Sequence, residues 1–428
     1  MDGPAPRIDS ARVIRDLREL ERRTGGPGGA RRVAWGPEWR RGRELLGELL
    51  AEIGIEPERD EAANIWAWMP GETEAALALG SHLDSVPAGG WLDGALGVMA
   101  ALGVLRAWSE RGERPPRTLA LVDFADEEGA RFGRSLLGSS ALSGTLEPES
   151  VVGLRDSDGT TLGEALTENG VDPARMTAAG MRRERLAAFC ELHIEQGPVL
   201  EAEGLPVCAV AGCAGVERHR LRFTGQASHA GTTPMDARRD AGLAAAETAL
   251  AVERAARAHG GVGTSGAISF EPGIPTAVAG VAELVVDLRH PSGNALGSML
   301  AEVVAAAAAA ADARRCELSE EVVWRIEPIP FDPALVEFAV RAARDAGGRE
   351  EPLTSGALHD AAEVARELPA VMMFCPSRRG LSHTRTEDTG EDDLSVAIEA
   401  FGELANLLLA PDPSVSQSPL NDQPGAER

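Results

Sequence analysis

An α/β protein is predicted, a mostly parallel-sheet domain with a smaller domain inserted into it, and three observations carry that expectation. Four short apolar runs, ALALG (76–80), TLALVDF (118–124), AAFCELHI (187–194) and AVMMFC (370–375), have the length and composition of buried strands and alternate with helix-like segments such as 94–109. That alternation suits neighbouring parallel strands joined by crossover helices. Between about 214 and 326 the order changes to β-α-β-β-α-β, the ferredoxin-like arrangement, and the α/β pattern then resumes. At 428 residues, the chain is also too long for one ordinary core.

Residues 8–23 and 38–53 read as amphipathic helices, the second with Leu45, Leu46, Leu49, Leu50 and Ile53 at helical spacing, placed to cover the sheet. The inserted part opens with the alternating strand VERHRLRF and an Ala-rich helix (236–258). Two strands (264–271 and 281–289), a second Ala-rich helix (294–313) and the strand EVVWRI complete it. The helix FDPALVEFAVRAARDAG and the AVMMFC strand return the chain to the first domain. The expected division is residues 1–213 plus 327–410 for the α/β domain and 214–326 for the insertion. Gly212, Gly215 and Pro328 mark the two connections, where the insertion would swing. The tail, 411–428, holds too few apolar residues to pack and is expected to be disordered.

The formal charge of −25 argues against nucleic acid and anionic membrane surfaces as partners, since both would repel the chain at long range. Residues 1–30 have no apolar core of a signal peptide and no run of about 18 apolar residues is read anywhere, so neither a signal peptide nor a membrane span is expected and the expected compartment is the cytoplasm. Five cysteines without C-x-x-C spacing read as reduced core thiols.

Reactive groups lie just past the apolar runs, and the carboxyl ends of strands are where open α/β sheets bind ligands. His82 and Asp84 follow the first run, Asp126, Glu127 and Glu128 the second, His193 and Glu195 close the third, and His383 follows the fourth. With Asp93 they make a nitrogen and oxygen donor set that zinc, manganese or cobalt accepts. His82 and Asp84, two apart, face the same side of an extended chain, so Asp84 can back the imidazole. Neighbouring Glu127 and Glu128 diverge, letting one carboxylate bind metal while the other serves as a base. Two ions about 3.5–4 Å apart on a shared carboxylate would lower the pKa of a bound water to roughly 7. Any one of these motifs is common as a solvated turn or a hydrogen-bonded pair; donors at the ends of all four runs are not.

The stretches GSHLDSVPAGGWLDGALGV, DEEGARFGRSLLGS, ELHIEQGPVLE, GQASHAGTTPMDARRDA, DLRH, SGALHDAAEV and GLSHTRTEDT follow one another up to about residue 409. In that order they resemble the signatures of the M20 metallopeptidase-like amidohydrolases, in the branch of N-carbamoyl-L-amino-acid hydrolases, bacterial β-ureidopropionases and allantoate amidohydrolases. The resemblance implies that His82, Asp93, Glu128, His193 and His383 bind two divalent metal ions, with Asp93 bridging. Glu127 would be general base and later proton donor, and Gln196 would touch the substrate. The inserted domain would be a lid that also forms a homodimer, through which His229 stabilises the developing oxyanion in the partner subunit's site. Arg289 would bind the substrate's α-carboxylate, a bidentate pairing that selects by geometry.

Two positions depart from the pattern: Thr276 stands where the family often has asparagine, altering a substrate contact, and Leu358 where it has glycine. His359 either contacts substrate or stands behind the site. His219 and His259 read as structural, and His290 as a support for Arg289. The implied reaction is hydrolysis of the ureido C–N bond of an N-carbamoyl-L-amino acid, a small substrate with a carboxylate, giving the L-amino acid, carbon dioxide and ammonia. Allantoate amidohydrolase or β-ureidopropionase activity are the enzymatic alternatives, and a metal-free binding protein on the same fold is the non-enzymatic one.

Overall fold

The computed structural model describes residues 5–410, so the tail expected to be disordered lies outside the described residues. In chain order its main strands are β1 (Ile65–Met69), β2 (Thr73–His82), β3 (Arg117–Phe124), β4 (Leu186–Ile194), β5 (Cys208–Cys213), β6 (Gly215–Thr224), β7 (Val262–Glu271), β8 (Val281–His290), β9 (Glu317–Ile326) and β10 (Ala370–Cys375). The main helices are α1 (Ser10–Thr24), α2 (Pro37–Ala51), α3 (Ala95–Arg111), α4 (Ala241–His259), α5 (Gly293–Ala313), α6 (Pro333–Asp345) and α7 (Glu391–Leu409). Among the described residues they form two compact units, 5–210 with Asp332–Pro352 and 363–410, and Ala211–Phe331 with Leu353–Ala362. The segment Leu353–Ala362, which the sequence pattern assigns to the α/β domain, packs in the second unit, where Ala214 N donates to Ser355 O at 2.9 Å.

The first unit is α/β. Its sheet runs β5-β10-β4-β2-β3-β1, with β2 parallel to β3 and β4, β10 parallel to β4, and the flanking β1 and β5 antiparallel. The central strands are buried on both faces, which is why they read as continuous apolar runs rather than as alternation. Leu17 and Leu20 of α1, Leu46 and Leu50 of α2, Leu96 and Leu102 of α3 and Phe401 of α7 are fully buried in one core. Each such side chain contributes about 1.5–3 kcal/mol relative to exposure. Asp9 caps α1 by accepting from Arg12 N, and α3 ends at Gly112, whose φ of 71° suits glycine.

The second unit has the order β6-α4-β7-β8-α5-β9. Its sheet, β7-β8-β6-β9, is antiparallel throughout, and α4 and α5 share its core. Leu221 and Phe223 are buried in that core while Arg218, Arg220 and Arg222 alternate with them on the other face. By length and composition alone α5 is apolar enough to cross a membrane. It buries Leu296, Met299, Val303, Ala307, Ala310 and Ala311.

Candidate active site

Because β2, β3, β4 and β10 run parallel, their carboxyl ends share one edge, and each end delivers a donor. His82 is the last residue of β2 and His193 the penultimate residue of β4. Glu127 and Glu128 follow β3 after Asp126, and His383 lies in the loop after β10; Asp126 and His383 both have a φ of 56°. Positive φ outside glycine costs of order 1–3 kcal/mol, so tertiary contacts must hold both turns in place.

Asp93 is the hub. His193 Nε2 stands 3.1 Å and His82 Nε2 3.8 Å from its Oδ1, while His383 Nε2 stands 3.3 Å from its Oδ2. His383 Nε2 also lies 3.4 Å from Glu128 Oε2, and His82 Nε2 3.6 Å from Glu127 Oε2. Two groups, His82–Asp93–His193 and Asp93–Glu128–His383, thus have the spacing to hold a metal ion, and they meet at Asp93. The ring tautomers agree. His82 Nδ1 faces the Asp84 carbonyl at 3.2 Å and His193 Nδ1 the Ile194 carbonyl at 2.9 Å. A carbonyl only accepts, so the proton sits on Nδ1 and each Nε2 offers its lone pair to the centre. The residues present therefore fit a divalent ion at each group. At Gly94, φ 64°, a Cβ would come within 2.4 Å of the His82 ring, so glycine is what lets the chain pass between Asp93 and α3.

Asp84 does more than back His82. Its carboxylate is 3.6 Å from His82 Nδ1, and it accepts from Glu127 N at 3.2 Å and Glu128 N at 3.1 Å. One side chain thereby ties the end of β2 to the turn after β3. The Gln196 amide nitrogen lies 2.9 Å from Asp93 Oδ2 and 3.1 Å from Ser382 Oγ.

Other residues support these donors without belonging to either group. Glu387 accepts from Leu92 N and Asp93 N at 3.2 and 3.1 Å and from Ser382 Oγ at 2.9 Å, which joins the Asp93 loop to the His383 loop. Its signal in the sequence is its place in the stretch GLSHTRTEDT, four positions after His383. Arg32 is fully buried, with Nε donating to Leu83 O at 2.6 Å and Nη2 without a hydrogen-bond partner among the described residues. Burial lowers the pKa of its guanidinium, opposed by the charges of Glu387, Asp84, Asp93 and Glu128. Trp35 Nε1 donates to Asp126 Oδ2 at 2.6 Å. Burial and the Asp84 charge push Asp126 up to about 8. Glu195 spends its carboxylate on Val199 N and Leu200 N, at 2.7 and 2.8 Å, and so starts a short helix.

Protons compete with metal here. Burial and the Asp93 charge push Glu128 up to about 7, and the hydrogen bond to Asp93 raises His383 to about 9. A metal ion needs Glu128 ionised and His383 neutral, so binding releases protons and the apparent affinity weakens as pH falls through 9 and then 7. Calorimetric zinc titrations at about pH 6.5 and 8.5, in buffers of differing ionisation enthalpy, should show tighter binding at the higher pH with net proton release. A pH-independent affinity would contradict this.

The other sequence candidates lie in the second unit. His229 is exposed on a short strand, Ser228–His229, paired with Ala277–Val278, and Ala230 N donates to Thr276 O at 2.8 Å. Its Nδ1 accepts from Gly231 N and Thr232 N at 3.1 and 3.2 Å, which leaves the proton on an outward Nε2. Arg289 lies on β8 beside Asp287. His359 is buried, with Nε2 2.9 Å from Ser355 Oγ. His219 is buried between Glu217 and Glu320 at 2.8 and 2.6 Å, and His290 Nδ1 accepts from Ser292 N.

Residues 78–407 match Peptidase family M20/M25/M40. The chain is 36% identical over 377 residues to an N-carbamoyl-L-amino acid amidohydrolase of Geobacillus stearothermophilus, covering 87% of this chain and 92% of that one. It is 32% identical over 383 residues to an allantoate amidohydrolase of Bacillus subtilis, covering 88% and 92%. Among solved structures, a hydantoinase/carbamoylase family amidase of Burkholderia multivorans superposes with a TM-score of 0.88 at 32% identity, covering 96% of this chain and all of that one.

Proposed function

Since this chain belongs to peptidase family M20/M25/M40 and is a hydrolase of carbon–nitrogen bonds, we propose that it cleaves the ureido bond of an N-carbamoyl-L-amino acid. The observation that supports the reading most is the pair of donor groups sharing Asp93, with Glu127 beside them at 3.6 Å from His82. His82, Asp93 and His193 would hold one divalent ion, and Asp93, Glu128 and His383 a second. When bound, such ions supply Lewis acidity and make water acidic enough to ionise near neutral pH.

Glu127 takes the proton of the attacking water and returns it to the departing nitrogen, a role for which it stands next to the donors without being needed in either group. His229, with its proton on Nε2, donates a hydrogen bond to the developing oxyanion in the partner subunit's site. Arg289 holds the carboxylate through its guanidinium, and Gln196 and Thr276 add polar contacts to the substrate. The second unit acts as lid and as the dimer surface, since β7 is the end strand of its sheet, pairs only with β8 among the described residues, and exposes Val262, Ile268 and Phe270. Light scattering that reads the 44.9 kDa monomer mass would remove the dimer.

The substrate is decided by turnover of N-carbamoyl-L-methionine, N-carbamoyl-β-alanine and allantoate, side by side, on enzyme loaded in turn with zinc, manganese or cobalt. The N-carbamoyl-L-amino acid should have the highest kcat/KM. Allantoate is the second reading, motivated by the Bacillus subtilis relative, and its faster turnover would replace the first.

A further inference from the structure

The second unit contains a cavity of about 780 Å³ whose charged lining is Arg218, Asp287 and Arg289, with His290 also in the lining. Arg218 on β6 and Asp287 on β8 are direct cross-strand partners, and Arg289 follows Asp287 by two residues on the same face. Arg289 Nε donates to Asp287 Oδ1 at 2.8 Å, and its Nη1 donates to Gly356 O at 2.5 Å. Arg218 grips the same carboxylate, with Nε and Nη2 at 2.9 and 2.6 Å from Oδ2. Burial raises the Asp287 pKa, but the bonds from Arg289 and Arg218 outweigh it and hold the carboxyl below its usual range. The carboxylate is therefore ionised at neutral pH and shared by two guanidiniums.

An Arg289–Asp287 pair alone is electrically neutral and would attract a substrate carboxylate weakly. Arg218 changes that, because two guanidiniums around one carboxylate leave a single net positive charge. We infer that Arg218 is a specificity-determining residue, offsetting the charge of Asp287 so that the pocket around Arg289 stays positive toward a carboxylate-bearing substrate. The inference rests on the reading of Arg289 as the carboxylate contact. A plain cross-strand tie between β6 and β8 is the competing explanation, and it makes different predictions.

The test uses metal-loaded enzyme, N-carbamoyl-L-methionine and its uncharged carboxamide. Arg218→Gln should raise KM for the carboxylate substrate about tenfold with kcat nearly unchanged, since the lost charge is felt on binding. The carboxamide KM should stay within about twofold, because it brings no charge to the pocket. Adding Asp287→Asn to that variant should recover most of the lost affinity, as one positive charge again faces the substrate. Arg218→Lys, which keeps the charge, should remain near wild type even if the glutamine variant folds poorly. An unchanged carboxylate KM in Arg218→Gln, an equal rise for both substrates, or no recovery in the double variant overturns the inference. Arg289→Gln separates the two levels. If it raises the carboxylate KM while Arg218→Gln does not, only the inference fails; if it is also silent, or wild type does not turn the substrate over, the functional reading fails and takes the inference with it.

Discussion

Glu127→Gln should abolish turnover while leaving the metal content of the protein unchanged. The expected fall in kcat is about a thousandfold or more, the range for a positioned general base, corresponding to ~4 kcal/mol in the barrier. Glutamine keeps the shape and a hydrogen-bonding oxygen but is not basic. Glu127 is only 8% exposed and belongs to neither donor group, so the substitution removes proton transfer without removing a ligand. Elemental analysis beside steady-state kinetics checks both halves. Full activity would remove Glu127 from the proton path, and lost metal would make it a ligand instead.

Asp93→Ala should be the most damaging single change to metal binding, because it takes a carboxylate from both groups at once. The expected content is well below one ion per chain, with turnover lost. His383→Ala belongs to one group and should leave about one ion bound. Equilibrium dialysis followed by elemental analysis gives the three stoichiometries, for wild type and the two variants. Equal loss in both variants would mean the groups do not act as separable sites.

How far the sequence alone led depends on the kind of contact. Buried parallel strands must be apolar on both faces, so β2, β3, β4 and β10 stand out as runs, and the donors that follow them could be named. The structure gathers those donors at one edge. Glu387 lies in the quoted stretch GLSHTRTEDT, but its role was not legible, because its carboxylate meets Asp93 N across 294 residues of chain and no local spacing announces that. Arg32 looks like one more surface charge until folding buries it under the His82–Asp84 turn. Asp84 was read from its two-residue spacing as a support for His82; that its carboxylate also reaches the two amides after β3 has no such spacing to announce it. Leu353–Ser355 was missed as part of the second unit because three residues have no periodicity to read.

The cluster formed by Asp84, Glu387 and Arg32 bears on the order of assembly. Asp84 and Glu387 satisfy their oxygens with backbone amides and a hydroxyl, and Arg32 sets its guanidinium beneath the acidic cluster, whose charges oppose the effect of its burial. The ligand cage is thus supported by the chain's own bonds, unlike small zinc domains whose folding waits for the ion. The expected order is folding first and loading with a divalent ion second. A chelated sample that keeps the circular dichroism spectrum and cooperative melt of the loaded enzyme is the signature of that order.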